Sequence, residues 1–210
     1  NQTDVLDDYA FMIKGALYLF QATGFHEYLS QAINWASIAN EYFWDHDGAG
    51  YFNSPNDATD LISRTKTVFD NATPSGNGIM AENLATLYYL TGDQSYRDKA
   101  DVLITSISQK TPNQGANMPS LMAGFEILQR GIQVIIISKD TNNALTKALF
   151  SLGSPNLIFT QLAPNIKLPT NHPAFGKTQI NNQVTAYVCR SQTCGRPHTK
   201  VAALIADLAH

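Results

Sequence analysis

A repeat limits most strongly which folds are open to this chain. Thr23-Gly24-x-x-x-Tyr28-x-x-x-Ala32 returns 68 residues later as Thr91-Gly92-x-x-x-Tyr96-x-x-x-Ala100. Each copy sets a glycine turn between two segments with helical apolar spacing. Leu6, Tyr9, Ile13, Ala16, Leu17 and Phe20 predict a helix over 5–22, with Asp7 and Asp8 suited to its positive end. Tyr28, Ala32, Trp35, Ala36, Ala39 and Phe43 predict another over 26–43. The second copy predicts helices over 76–90 and 94–108, carrying Met80, Leu84, Leu87 and Tyr88, then Leu103, Ile104 and Ile107. A single hairpin cannot bury both its faces, so such repeats stack. The same offset sets Asp8 opposite Gly76 and Tyr9 opposite Asn77. Polar groups thus recur where each pair begins, as in a ring of hairpins lining one end of a cavity.

The pattern changes after Gly131. A fifth helix is predicted over 118–129, followed by the β-branched run Ile132 to Ser138, the mark of a strand buried on both faces. A short helix over 142–152 and a strand over 156–162 complete a β-α-β order, which implies a parallel pair. A proline-bearing loop over 164–179, a third strand over 183–190 and a closing helix over 199–208 follow. The fold class read from this is mainly α. Residues 1–130 form part of an array of helical hairpins, and 131–210 form a small α/β unit with three strands.

The chain between the two hairpins carries the densest chemistry. Arg64 to Asn77 reads R-T-K-T-V-F-D-N-A-T-P-S-G-N. Residues 61–69 are predicted extended, so Arg64 and Lys66 share a face. Pro74 biases Thr73 away from helix, and Ser75 is placed to cap a helix that begins near Gly76. The free N–H groups of that helix start, with Asn77 in its first turn, suit a polar pocket. The alternative is a capped helix with a solvated loop before it. Trp44-Asp45-His46-Asp47-Gly48-Ala49-Gly50-Tyr51-Phe52 reads as a tight glycine hairpin or loop.

Composition narrows the partners. A net charge of −3 gives no footing for nucleic acid. No apolar run nears the roughly 20 residues of a membrane span. The chain opens N-Q-T-D without methionine, so a fragment or processed product is expected. Two cysteines in 210 residues suggest no disulfide scaffold, and a cytoplasmic setting is the default.

Six motifs, running almost end to end, resemble one family. They are D-D-Y-A (7–10), F-W-D-x-x-G-x-G-Y-F (43–52), L-I-x-R-x-K (61–66), D-x-A-x-P-S-G-N (70–77), L-T-G-D-x-x-Y-R (90–97) and T-A-Y-V-C-x-x-x-x-C-x-x-P-x-T (185–199). The chain resembles the C-terminal portion of the spermatogenesis-associated protein 20 family and its bacterial YyaL-type relatives. Asn77-Gly78 departs mildly from the family's Asn-Ser. The resemblance implies a longer protein, with a thioredoxin-like domain before an (α/α) toroid like that of six-hairpin glycosidases and sugar 2-epimerases. Only about five toroid helices of the twelve expected fall within this chain.

Two functions follow as expectations. The first is a toroid cavity that binds a carbohydrate-like ligand, with or without glycosidase- or epimerase-like catalysis. Asp8 and Asp70 are its candidate catalytic carboxylates, since glycoside hydrolysis uses two. Asp45 and Asp47 lie in a glycine loop from which they could join them. Tyr9, Arg64, Lys66, Ser75 and Asn77 are its candidate ligand-binding residues, and the two cations suit an anionic group on the ligand. The second is a non-enzymatic scaffold that supports a thioredoxin-like domain and recognises a protein client. Epimerase chemistry would use histidines on inner helices, and none of His26, His46, His172, His198 and His210 is predicted there. Ordinary structural roles compete throughout: helix-end electrostatics for Asp7 and Asp8, an ion pair with Arg64 or Lys66 for Asp70, core packing for Trp35, Trp44, Tyr51 and Phe52. No cofactor and no metal are called for. Cys189 and Cys194 lack thioredoxin C-x-x-C spacing and are expected as free thiols, a single disulfide being the alternative. The incomplete array implies a partner: the upstream half of the same protein, or self-association.

Overall fold

The computed structural model describes residues 5–59, 61–191 and 193–209. His210 lies outside them.

Helix α1 (Leu6–Thr23) turns at Gly24 into α2 (His26–Tyr42), and α3 (Gly76–Thr91) turns at Gly92 into α4 (Gln94–Lys110). The two turns match atom for atom. Gly24 and Gly92 sit at φ 73° and 75°, a left-handed conformation that costs glycine nothing. Their N–H groups bond Phe20 O and Tyr88 O at 2.7 and 2.8 Å. The Thr23 and Thr91 hydroxyls each donate to the carbonyl four residues back, at 2.7 Å. Each then accepts the N–H two residues on. Ala32 and Ala100 are fully buried, where a larger side chain would hold the paired helices apart.

Helix α3 is the hub. It packs against α1, α4 and α5 (Pro119–Arg130), and is buried from Gly76 to Leu90 except at Glu82. Leu84, Leu87 and Leu90 each contribute about 2–3 kcal/mol by leaving water. A Cβ at Gly124 of α5 would stand 2.7 Å from the Ala81 Cβ, so the missing side chain sets the close α3–α5 approach.

The second layer is a four-stranded sheet. Strands β1 (Ile132–Ile137), β2 (Leu157–Leu162), β3 (Thr185–Arg190) and β4 (Thr193–Cys194) run in the order β2-β1-β3-β4. The β1–β2 pair is parallel, with α6 (Ala144–Leu152) between them in the chain, and the other pairs are antiparallel. Val134 and Ile136 face α6 and α7 (Val201–Leu208), while Ile135 and Ile137 face Ala174 and Leu168 of the long loop. This is why Val134 to Ile137 of β1 read as an unbroken apolar run. Strand β2 also packs on α1 and α3, where the Phe159 N–H donates to Gln21 Oε1 at 3.0 Å, and from β1 Gln133 Nε2 donates to Tyr89 O of α3.

The predicted elements agree with this architecture, apart from β4 and the cysteines. Register pairs Arg190 with Thr193 and sets Cys189 directly across from Cys194, and the two form a disulfide. The free-thiol expectation is therefore corrected. A strand that folds straight back brings residues five apart face to face, which a strand followed by a loop does not.

Candidate functional site

The 43–52 turn doubles back through an antiparallel bridge between Trp44 and Tyr51, with Ala49 and Gly50 at positive φ. Asn77, wholly buried in the first turn of α3, grips this turn. Its Oδ1 accepts the Tyr51 N–H at 2.7 Å, and its Nδ2 donates to Tyr51 O and Thr67 O, each at 2.9 Å. The side-chain amide thus acts as a strand partner for Tyr51. Below it the Tyr51 hydroxyl donates to Asn40 Oδ1 at 2.6 Å, and complete burial drives the phenol well above its ordinary range.

Burial alternates residue by residue over 64–70, as an extended segment requires, and Arg64 and Lys66 share a face over the Phe52 ring at 4.1 and 4.7 Å. Both cations are engaged. Arg64 donates to the carbonyls of Ser54 and Tyr42, and burial lowers its pKa. Lys66 donates to Asp45 Oδ2 and to Ala49 O, each at 2.5 Å. That hydrogen bond from Lys66 is the main reason the Asp45 carboxyl falls to about 2.

Asp70 joins three segments. One oxygen accepts the Ser75 N–H at 2.8 Å and the Ser120 hydroxyl at 2.6 Å; the other accepts the Ser120 N–H at 2.7 Å. Burial works against its charge, but the hydrogen bonds from Ser120 and Ser75 outweigh burial and hold its pKa below the usual range. Ser75 caps α3 by accepting the Gly78 N–H at 3.1 Å. Asp7, rather than Asp8, reaches this helix start. Burial and the neighbouring charge of Asp8 raise the Asp7 carboxyl, against a hydrogen bond from the Gly76 N–H. Asp8 is exposed, and the Tyr9 ring packs 5.4 Å from Phe43.

Lys66, Asp70, Ser75 and Asn77 therefore gather around the α3 start, and their bonds close on the protein itself. Polar capacity lies about two turns further along, where α1, α3 and α5 form a concave face over residues 155–158 and enclose about 200 Å³. Lys14 Nζ meets Glu82 Oε2 at 2.8 Å across it. Asn83 spends its Nδ2 on Ala10 O at 2.8 Å, while its Oδ1 is buried with no donor. Tyr18, more than half exposed, and Glu126 complete the wall. Sequence reasoning missed this group. The signal was present, since Lys14 and Glu82 are separated by the repeat offset of 68.

A second cavity of about 250 Å³ lies beside the disulfide, lined by Tyr88, Tyr89, Gln133, His172 and both cysteines. His172 Nδ1 accepts the Ala174 N–H at 3.1 Å, and burial, with the charge of His26, lowers its pKa. His198 contacts Asp207 at 2.7 Å, beside Arg190. None of the four described histidines lies on α1, α3 or α5. Among the described residues, no helix is long and apolar enough to cross a membrane.

Comparison with known proteins gives this architecture a lineage. No family model matches the chain. It is 32% identical over 202 residues to spermatogenesis-associated protein 20 of Rattus norvegicus, and 32% identical over 203 residues to that of Homo sapiens. The proteins named spermatogenesis-associated protein 20 are homologues of this chain. Each alignment takes in 92% of this chain and 26% of the relative, so the chain spans about a quarter of the length of the curated relatives it matches. An uncharacterized protein of Caenorhabditis elegans, B0495.5, is 26% identical over 195 residues.

Proposed function

We propose that the concave face of α1, α3 and α5 binds a carbohydrate-like ligand as one sector of an (α/α) toroid. Asn83 carries this reading. A buried amide oxygen without a donor costs about 1–3 kcal/mol, a deficit that a ligand hydroxyl would remove if the lining side chains shifted to admit it. Tyr18 offers an exposed ring on which a sugar face can stack, and the Lys14–Glu82 pair and Glu126 offer bonds to further hydroxyls. A neutral polyol suits the site better than an anion, because Arg64 and Lys66 already serve backbone carbonyls and Asp45. Carbohydrate-active catalysis belongs to the proposal through Glu82 and Glu126, since both oxygens of Asp70 are committed to Ser75 and Ser120.

The test is thermal stability with a panel of neutral sugars and sugar acids. A saturable rise in Tm with a neutral sugar is expected, lost in Tyr18→Ala and Glu126→Ala. No shift at millimolar sugar, or a shift that both variants keep, overturns the reading. The scaffold reading draws support from one observation: the polar residues of 64–77 form an internally satisfied frame. That frame would serve a protein client equally well, and capture by a thioredoxin-like domain without any sugar response would favour it.

A further inference from the structure

The disulfide forms part of a cavity wall, and its two sulfurs belong to residues in different settings. Cys189 is 2% exposed and packs with Ile135, Ile137 and Leu162, on a strand held between β1 and β4. Cys194 is half-buried on the two-residue edge strand β4, at the margin of that cluster. Both line the cavity of about 250 Å³ that Tyr88 and Tyr89 wall from α3. This falls short of the roughly 300–1,000 Å³ of drug-sized sites, so the cavity suits a small occupant. Exposed Thr170 and Phe175 also line it, so solvent reaches it. Among the described residues, no Asp, Glu, Lys or Arg lines it. His172 does. Its Nδ1 accepts the Ala174 N–H, which leaves Nε2 for a proton, and burial keeps the ring in its neutral form.

We propose that this cavity receives a small uncharged thiol, which opens the Cys189–Cys194 disulfide by exchange and remains on Cys194 as a mixed disulfide. The thiol gives its proton to His172 Nε2, and its sulfur bonds Cys194 Sγ. The Cys189–Cys194 bond breaks, its electron pair leaves on Cys189 Sγ, and that sulfur takes the proton from His172. The incoming sulfur is oxidised and Cys189 is reduced, so the thiol is the whole of the reductant. The direction follows from position. Cys189 is fixed in the sheet, where a buried thiolate is a poor leaving group until it is protonated. Cys194, on the edge strand, can carry the added group in the cavity. The lining disfavours an anionic thiol, which would leave water with no cation to meet it.

Exchange kinetics on the full chain test this. The folded chain is treated with mercaptoethanol or with anionic mercaptoethanesulfonate, quenched with acid and mapped by peptide mass spectrometry, with the urea-unfolded chain as reference. The adduct is expected on Cys194 with Cys189 as the thiol, at a rate that saturates with mercaptoethanol. The folded chain should prefer mercaptoethanol about tenfold more than the unfolded chain does. Thr170→Trp, at an exposed lining position, should raise the half-saturating concentration. His172→Gln should lower the saturated rate and leave half-saturation unchanged. The preference between the two thiols is read on the wild-type chain and needs no variant to fold. No adduct, an adduct on Cys189, a rate linear in thiol, the same preference folded and unfolded, or exchange no faster than global unfolding overturns the proposal. A saturated rate unchanged in His172→Gln overturns the proton route.

Discussion

Replacing Asn77 with alanine separates a structural from a ligand-binding role at the α3 start. The substitution removes one acceptor and two donor bonds, and strands the Tyr51 N–H, Tyr51 O and Thr67 O. Each stranded buried backbone group costs about 1–3 kcal/mol. Thr67 is exposed, so its carbonyl can turn to water, while Tyr51 is fully buried and its groups cannot. The loss should therefore be about 2–6 kcal/mol, a large part of the roughly 5–15 kcal/mol that holds a domain folded. Urea denaturation followed by circular dichroism measures it, and hydrogen exchange reads the Tyr51 amide directly. The expected result is a midpoint far below wild type, with Tyr51 exchanging early. A loss under about 1 kcal/mol at unchanged m-value, with Tyr51 still protected, would refute the clamp and return Asn77 to the ligand-binding set.

Three further outcomes are expected. The depressed Asp45 carboxyl contributes stability that is present above its unfolded value, about 3.9, and is lost as pH falls through about 2; Lys66→Met should flatten that acid limb in urea melts between pH 2 and 5. Reducing Cys189–Cys194 should lower stability by about 2 kcal/mol from the chain entropy of so short a loop, read as a drop in Tm with reductant that Cys189→Ala/Cys194→Ala does not show. Gly124→Ala forces a methyl to within 2.7 Å of Ala81, so a loss of about 1–3 kcal/mol is expected in thermal melts, against a gain of about 0.5–1 kcal/mol for Gly15→Ala, which meets nothing inside α1.

Periodicity carried most of the fold. The helical hairpins, the buried β1 and the β1–β2 pairing follow from apolar spacing and β-branched runs, which report which face is buried. The short β4 did not, because two residues show no period and its partner is fixed by register. Spacing at the α3 start identified the Ser75 cap and placed Asn77 at the polar end. It misassigned the helix-start carboxylate by one position, since Asp7 and Asp8 differ only in rotation about α1. Ser120 lies 50 residues from Asp70, and nothing local announces that bond. Of the cavity wall, the Lys14–Glu82 pair was within reach of the repeat offset, but Asn83 was not: a buried amide with an empty acceptor is a property of surroundings and leaves no trace in composition.

The clamp at Asn77 also decides where the chain tolerates new length. The stretch from Phe43 to Ser75 has almost no regular structure, yet it is fastened twice, through 43–54 and through 64–70, to α3 and to itself. Between the fastenings, residues 57–59, 61 and 62 make few contacts, and Ile62 is fully exposed. Nicking or insertion there leaves every fastening intact, so a protease should find its first cut near Ile62. A loop grafted at that point should ride on the surface, whereas the same graft between Arg64 and Asn77 would unseat the hub helix.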